Sequence, residues 1–322
     1  MEFRLFGIVS TLLFFAPTLF AQTIPLEIGN ALMANDLGSA PARPTLTVRK
    51  EVEEVNLILS VTDHRGHFVQ GLTPSDLTIL DNNAKQTEIT FFQSQTNLPL
   101  RIAFVLDVSS SVASRFAAEQ FTIRSFLKQV TKPEDSVMLY AFNQNIEFST
   151  QVRGNWKQIS RRISKLKPGG ETALYDAITT AAQHLGEDPH PARKILILIS
   201  DGEENASKSS LDATITSVLK AETVVYAVNM GEDRTTQIGK EGEATLEQLA
   251  DVTGGAYLHA GESGDVGWVF AKIRKELRSQ YALAYRPSNL AQQLFHQLTI
   301  SSGNLRVRCR RAYYVRASNG KP

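Results

Sequence analysis

The stretch Arg101-Ile102-Ala103-Phe104-Val105-Leu106-Asp107-Val108-Ser109-Ser110-Ser111 decides the fold. Ile102 to Leu106 form an unbroken apolar run that stops at an acid and alternating hydroxyls. Such a run reads as a central strand buried on both faces, as in a parallel sheet. Asp107, Ser109 and Ser111 then stand at its carboxyl end, where open α/β sheets bind ligands. Oxygen donors without His or Cys suit a hard divalent cation such as Mg2+. A serine-rich turn capping the next helix accounts for the same residues, and the stretch alone leaves both readings open.

Working outward, the same grammar repeats downstream. Residues 137–142 and 194–199 are further apolar strands, and the second ends in Ser200-Asp201-Gly202. Shorter strands are expected at 223–228 and at Tyr257-Leu258. Between them lie helical stripes: Phe116, Ile123, Leu127 and Val130; Trp156, Ile159, Ile163 and Leu166; then residues 173–185 and 244–252. Gly254-Gly255 follows the last of these as a C-terminal stop. A final helix, Val266–Leu277, is expected to turn Trp268, Ile273 and Leu277 inward. Strand–helix alternation over 101–285 predicts an α/β fold, a doubly wound and mostly parallel sheet with helices on both faces, spanning 98–287.

Upstream, residues 46–96 read as a small all-β domain of Ig-like sandwich type. Val55, Leu57, Leu59 and Val61 alternate with more polar neighbours, and Asp63-His64-Arg65-Gly66 makes a turn. Residues 77–80 and 88–92 read as a hairpin around Asp81-Asn82-Asn83-Ala84. About 50 residues is marginal for independent stability. The tail, 288–322, offers Leu305, Val307 and Cys309 alternating with Arg306, Arg308 and Arg310, a strand expected to complete the small domain with its arginine face in solvent.

Residues 1–21 read as an export signal: Arg4, an apolar run over 5–20, and a small-residue cleavage point at Ala21-Gln22. That run holds Pro17 and falls short of the roughly 20 residues a spanning helix needs. The mature chain is therefore expected outside the cytoplasm, periplasmic or secreted, with no membrane span after signal removal. Residues 22–45 lack periodicity and read as a linker. The chain carries 34 basic and 33 acidic residues, so no global field favours nucleic acid. A basic flank at Arg153, Lys157, Arg161, Arg162, Lys165 and Lys167 suits either solvent or an acidic partner. The single Cys309 excludes an intrachain disulfide and any Cys-based zinc site.

Asp107-x-Ser109-x-Ser111, Thr172 at a helix start preceded by Gly169-Gly170, and Asp201-Gly202 after another strand together resemble the metal-ion-dependent adhesion site of von Willebrand factor A domains. The likeness extends over about 185 residues and includes Gly170-Glu171-Thr172-Ala173-Leu174-Tyr175-Asp176-Ala177. It implies Mg2+, or Mn2+ or Ca2+, bound directly by Ser109, Ser111 and Thr172, with Asp107 and Asp201 acting through waters. Keeping carboxylates out of direct contact leaves the cation attractive to a further ligand. The resemblance implies a protein partner supplying that ligand as a carboxylate. Ser110 departs from the glycine, and Val112 from the methionine, often found there. The flanking segments resemble a group of exported bacterial proteins with related domains.

Two other classes compete with this protein-binding reading. A metal-free scaffold would keep the fold without the cation. A hydrolase could use Ser125-Phe126-Leu127-Lys128, but that motif lies mid-helix without its usual companions, and no Gly-x-Ser-x-Gly is present. The expectation is a non-enzyme.

Overall fold

A computed structural model describes residues 54–94, 98–188, 190–231, 235–260, 266–288 and 294–315. The signal and linker expected over 1–45 lie outside the described residues. Everything described falls in one compact unit, Leu46–Pro322.

The strands are β1 (Val55–Thr62), β2 (Thr78–Asp81), β3 (Ala84–Gln86), β4 (Ile89–Ser94), β5 (Leu100–Asp107), β6 (Ser136–Phe142) and β7 (Ile146–Arg153). They continue with β8 (Arg193–Ile199), β9 (Val224–Asn229), β10 (Ala256–His259), β11 (Tyr281–Tyr285), β12 (Phe295–Ser301), β13 (Arg306–Arg308) and β14 (Ala312–Tyr314). The helices are α1 (Phe116–Val130), α2 (Trp156–Ile163), α3 (Leu174–Glu187), α4 (Leu211–Lys220), α5 (Gln237–Thr253) and α6 (Val266–Leu277).

The central sheet runs β10-β9-β8-β5-β6-β7, parallel except for the edge strand β7. Every residue of β5 is buried, as its unbroken apolar run demands. Ile102, Phe104 and Leu106 face α1, α2 and α6, where Phe126 stacks on Phe270 with ring centroids 4.5 Å apart. The opposite face is covered by α3, packed on β5, β6 and β8, with α4 and α5 beside it. After β5 the chain moves to β6 on one side, and after β8 to β9 on the other. The order therefore reverses between β5 and β8, which opens a crevice at their carboxyl ends.

Two antiparallel sheets, β13-β1-β11-β4 and β14-β12-β2-β3, share a separate core that includes Leu57, Leu59, Ile79, Tyr285, Leu298 and Tyr313. Several sequence expectations change here. The hairpin is β2–β3, because Asn82 and Asn83 both take positive φ (47° and 65°) and allow a two-residue turn. β4 crosses to the other sheet and pairs with β11. β11 is flanked antiparallel by β1 and β4, so the α/β alternation stops at α6, short of residue 287. Strand β7 and helix α4 were not expected. Trp268 is 45 % exposed, while Val269 and Phe270 take the inward positions beside Ile273 and Leu277. The arginine face of the tail is not simply solvated: Arg308 pairs with buried Glu276 on α6, and Arg310 lies 3.7 Å from Glu222.

Candidate cation site at the sheet switch point

Asp107 closes β5 and is 1 % exposed. The Ser109 amide donates to its Oδ1 at 2.8 Å, and Ser200 Oγ donates to Oδ2 at 2.7 Å. Burial, reinforced by the charge of Asp201, pushes its carboxyl up to about 6 against the pull of those hydrogen bonds. A 3-10 turn at Ser110–Val112 brings the Ser109 and Ser111 hydroxyls 3.0 Å apart.

The loop before α3 is sewn onto this turn. The Gly169 amide donates to the Val108 carbonyl at 2.7 Å, and the Ser110 amide to the Gly170 carbonyl at 3.0 Å. Thr172 is thereby held at the same end of the sheet and is 1 % exposed. Its amide donates to Asn205 Oδ1 at 2.8 Å, while its carbonyl accepts from the Asn205 and Ala206 amides. Glu204 and Ser207 accept the Tyr175 and Asp176 amides, which caps α3 with the segment that follows Asp201.

Asp201 follows β8. Its Oδ1 accepts the Glu203 amide at 3.2 Å, and its Oδ2 accepts Arg115 Nη2 at 2.9 Å. Gly202 has φ +89°, and a Cβ there would run into the Gly242 backbone of α5. Only glycine allows that close approach, which fixes where Asp201 points.

Asp107 thus ends β5, and the other four residues singled out in the sequence lie on three loops at the β5/β8 switch point. Hydrogen bonds join these loops; Ser109 bonds Asp107 and Ser111, and Thr172 and Asp201 bond neighbouring residues instead. Arg115, Glu119, Ser200 and Asn205 belong to the same place and were not anticipated. Arg115 and Glu119 had a readable signal, an i,i+4 pair, but nothing local directs it toward Asp201. Ser110 is more than a replacement for glycine, because its Oγ accepts the Gly170 amide at 3.0 Å. Among the described residues no group of three His, Cys, Asp or Glu side chains converges as a metal cluster. The five candidate residues offer two carboxylates and three hydroxyls.

Residues 102–204 match the family of the von Willebrand factor type A domain. The chain carries a von Willebrand factor type A domain. Such domains are generally interaction modules, and the matched residues hold β5 to β8 with α1 to α3. Among solved structures, a von Willebrand factor type A protein from Catenulispora acidiphila aligns with a TM-score of 0.50 at 12 % identity, over 82 % of this chain and 73 % of its own. A conserved hypothetical protein, BatB from Bacteroides thetaiotaomicron, aligns at 0.46 and 14 % identity over 56 % of this chain and all of its own. An aerotolerance-related membrane protein from Bacteroides fragilis aligns at 0.45 and 16 % identity over 55 % of this chain and 98 % of its own. At these identities the likeness concerns the fold. No curated protein matches the chain. No helix of the described residues is long and apolar enough to cross a membrane.

Proposed function

We propose that the type A domain is a metal-dependent protein-binding module acting outside the cytoplasm. Ser109, Ser111 and Thr172 would give oxygens directly to Mg2+, or to Mn2+ or Ca2+ in its place, while Asp107 and Asp201 hold coordinated waters. One observation carries the reading: Asp107 is buried, yet among the described residues the donors that bond its carboxylate, from Ser109 and Ser200, are neutral. A buried anion without a cation is costly, and a divalent ion beside it removes that cost. The Ser109 and Ser111 hydroxyls, 3.0 Å apart, are oxygen donors of the kind a hard cation needs. When bound, the cation offers an open position to a carboxylate on the partner.

Because a ligand that binds only the folded state stabilises it by mass action, millimolar Mg2+ should raise the melting temperature if the affinity is submillimolar. Asp107→Ala should abolish the rise, and Thr172→Ala should reduce it, since one oxygen is lost while both acids remain. Capture of a protein partner should fail in chelator and with Asp107→Ala. Calorimetry showing no Mg2+ or Mn2+ binding, with capture surviving chelation, would establish the metal-free scaffold instead. One observation favours that rival: Arg115 already neutralises Asp201.

The export part of the reading is supported by the charged, apolar and small-residue order of 1–21. Mass spectrometry of the natively produced protein should find a new N-terminus near Gln22. Retention of Met1–Ala21 would favour an uncleaved anchor.

A further inference from the structure

The five-residue set leaves one charge in the site unexplained, a cation belonging to the chain itself. Arg115 precedes α1 and spreads its guanidinium over three acceptors. Nε donates to Glu119 Oε1 at 3.0 Å, Nη2 to Asp201 Oδ2 at 2.9 Å, and Nη1 to the Ser111 carbonyl at 3.3 Å. Nε and Nη2 form the side-on fork that matches both oxygens of one carboxylate. Here that fork is split between two carboxylates.

The split leaves a visible deficit. Glu119 is 1 % exposed, and its Oε2 is buried with no hydrogen-bond partner among the described residues. Leaving a buried carboxylate oxygen unpaired is unfavourable. Burial also pushes the Glu119 carboxyl up to about 7, against the pull of Arg115. If the guanidinium let go of Asp201, Nη2 would be free to pair with that orphaned oxygen and complete a bidentate pair.

We propose that Arg115 is a built-in competitor of the divalent cation: it occupies Asp201 in the metal-free protein, and metal binding transfers its guanidinium wholly onto Glu119. The inference rests on the cation-site reading above and adds its regulation. While Arg115 holds Asp201, one carboxylate oxygen is taken and a positive charge opposes the incoming ion. Glu119 offsets part of the cost of release by receiving the freed N–H. The competition raises the apparent dissociation constant, so the site fills only at a higher metal concentration than it would without Arg115.

The test is calorimetric titration of the full chain with Mg2+ alone and with Mn2+ alone. Arg115→Gln should bind about tenfold more tightly than the wild type, the scale of one lost charge-assisted hydrogen bond. Glu119→Gln should weaken binding in the wild type but not in the Arg115→Gln background, where no guanidinium needs a receiver. Equal weakening in both backgrounds would reveal a general charge effect and overturn the proposal. A second readout is the Arg115 Nε–H resonance, identified by its loss in Arg115→Gln. It should shift on Mg2+ addition in the wild type and stay still in Asp107→Ala. If the wild type binds Mg2+ and Arg115→Gln binds it no better, the competitor fails while the cation site stands. If neither protein binds Mg2+ or Mn2+, the cation site fails and takes this inference with it.

Discussion

Gly202 governs the site without contributing an atom to it. Its φ of +89° and its close approach to the Gly242 backbone let the chain turn sharply after β8, with Asp201 near enough for its charge to act on Asp107. A side chain there faces both a left-handed backbone and a wall of main chain. Gly202→Ala should therefore destabilise the protein by about 1–3 kcal/mol. It should also shrink the Mg2+-dependent rise in melting temperature, because Asp201 moves. A normal Mg2+ response in a destabilised variant would show that Asp201 is placed by other contacts. Ser110 has the opposite character, since both its amide and its hydroxyl bond Gly170 and a glycine could offer only the first.

At the scale of elements, the second β-sheet is pinned by one buried acid. Asp81, at the end of β2, accepts His296 Nδ1 of β12 at 2.7 Å, Tyr285 OH of β11 at 2.8 Å and Tyr313 OH of β14 at 2.8 Å. Burial raises its carboxyl, but the hydrogen bonds from His296, Tyr285 and Tyr313 outweigh it and leave the group below its ordinary 3.8. A depressed carboxyl stabilises the fold above the unfolded-state value and loses that contribution as pH falls through the folded value. Denaturation series should therefore show stability falling below about pH 4. In Asp81→Asn that acid limb should be flatter and the neutral-pH stability lower. An unchanged acid limb would place the titrating group elsewhere.

At the scale of the molecule, the first and last strands of the described residues share the same two sheets. β1 pairs with β13, β2 pairs with β12, and β12 pairs with β14, so neither antiparallel sheet is complete without the tail. Glu276 on α6 accepts Ser60 Oγ at 2.8 Å and Tyr226 OH at 2.9 Å and also pairs with Arg308, which ties both antiparallel and parallel sheets to one buried carboxylate. A chain ending at Ser288 would leave β2–β3 as a lone hairpin, which is marginal in water. Limited proteolysis of that shortened chain should cut within 55–94 early while the six-stranded sheet resists. Protection of 55–94 equal to the full chain would show that the tail strands are dispensable.

The sequence by itself determined the strands that are buried on both faces, because a run such as Ile102–Leu106 has no stable place except the middle of a covered sheet. It also determined the order of the five candidate donors, since each stands where an apolar strand or a glycine turn ends. Only the tertiary structure decided what depends on partners far along the chain. β4 was taken for half of a local hairpin because its pairing with β11 spans nearly 200 residues and leaves no local mark. Strand β7 lies at an edge, where one-sided burial relaxes the apolar pattern that marks a central strand. Arg115 reads as an ordinary i,i+4 partner of Glu119, and its hold on Asp201 exists only because β5 and β8 are neighbours in the sheet.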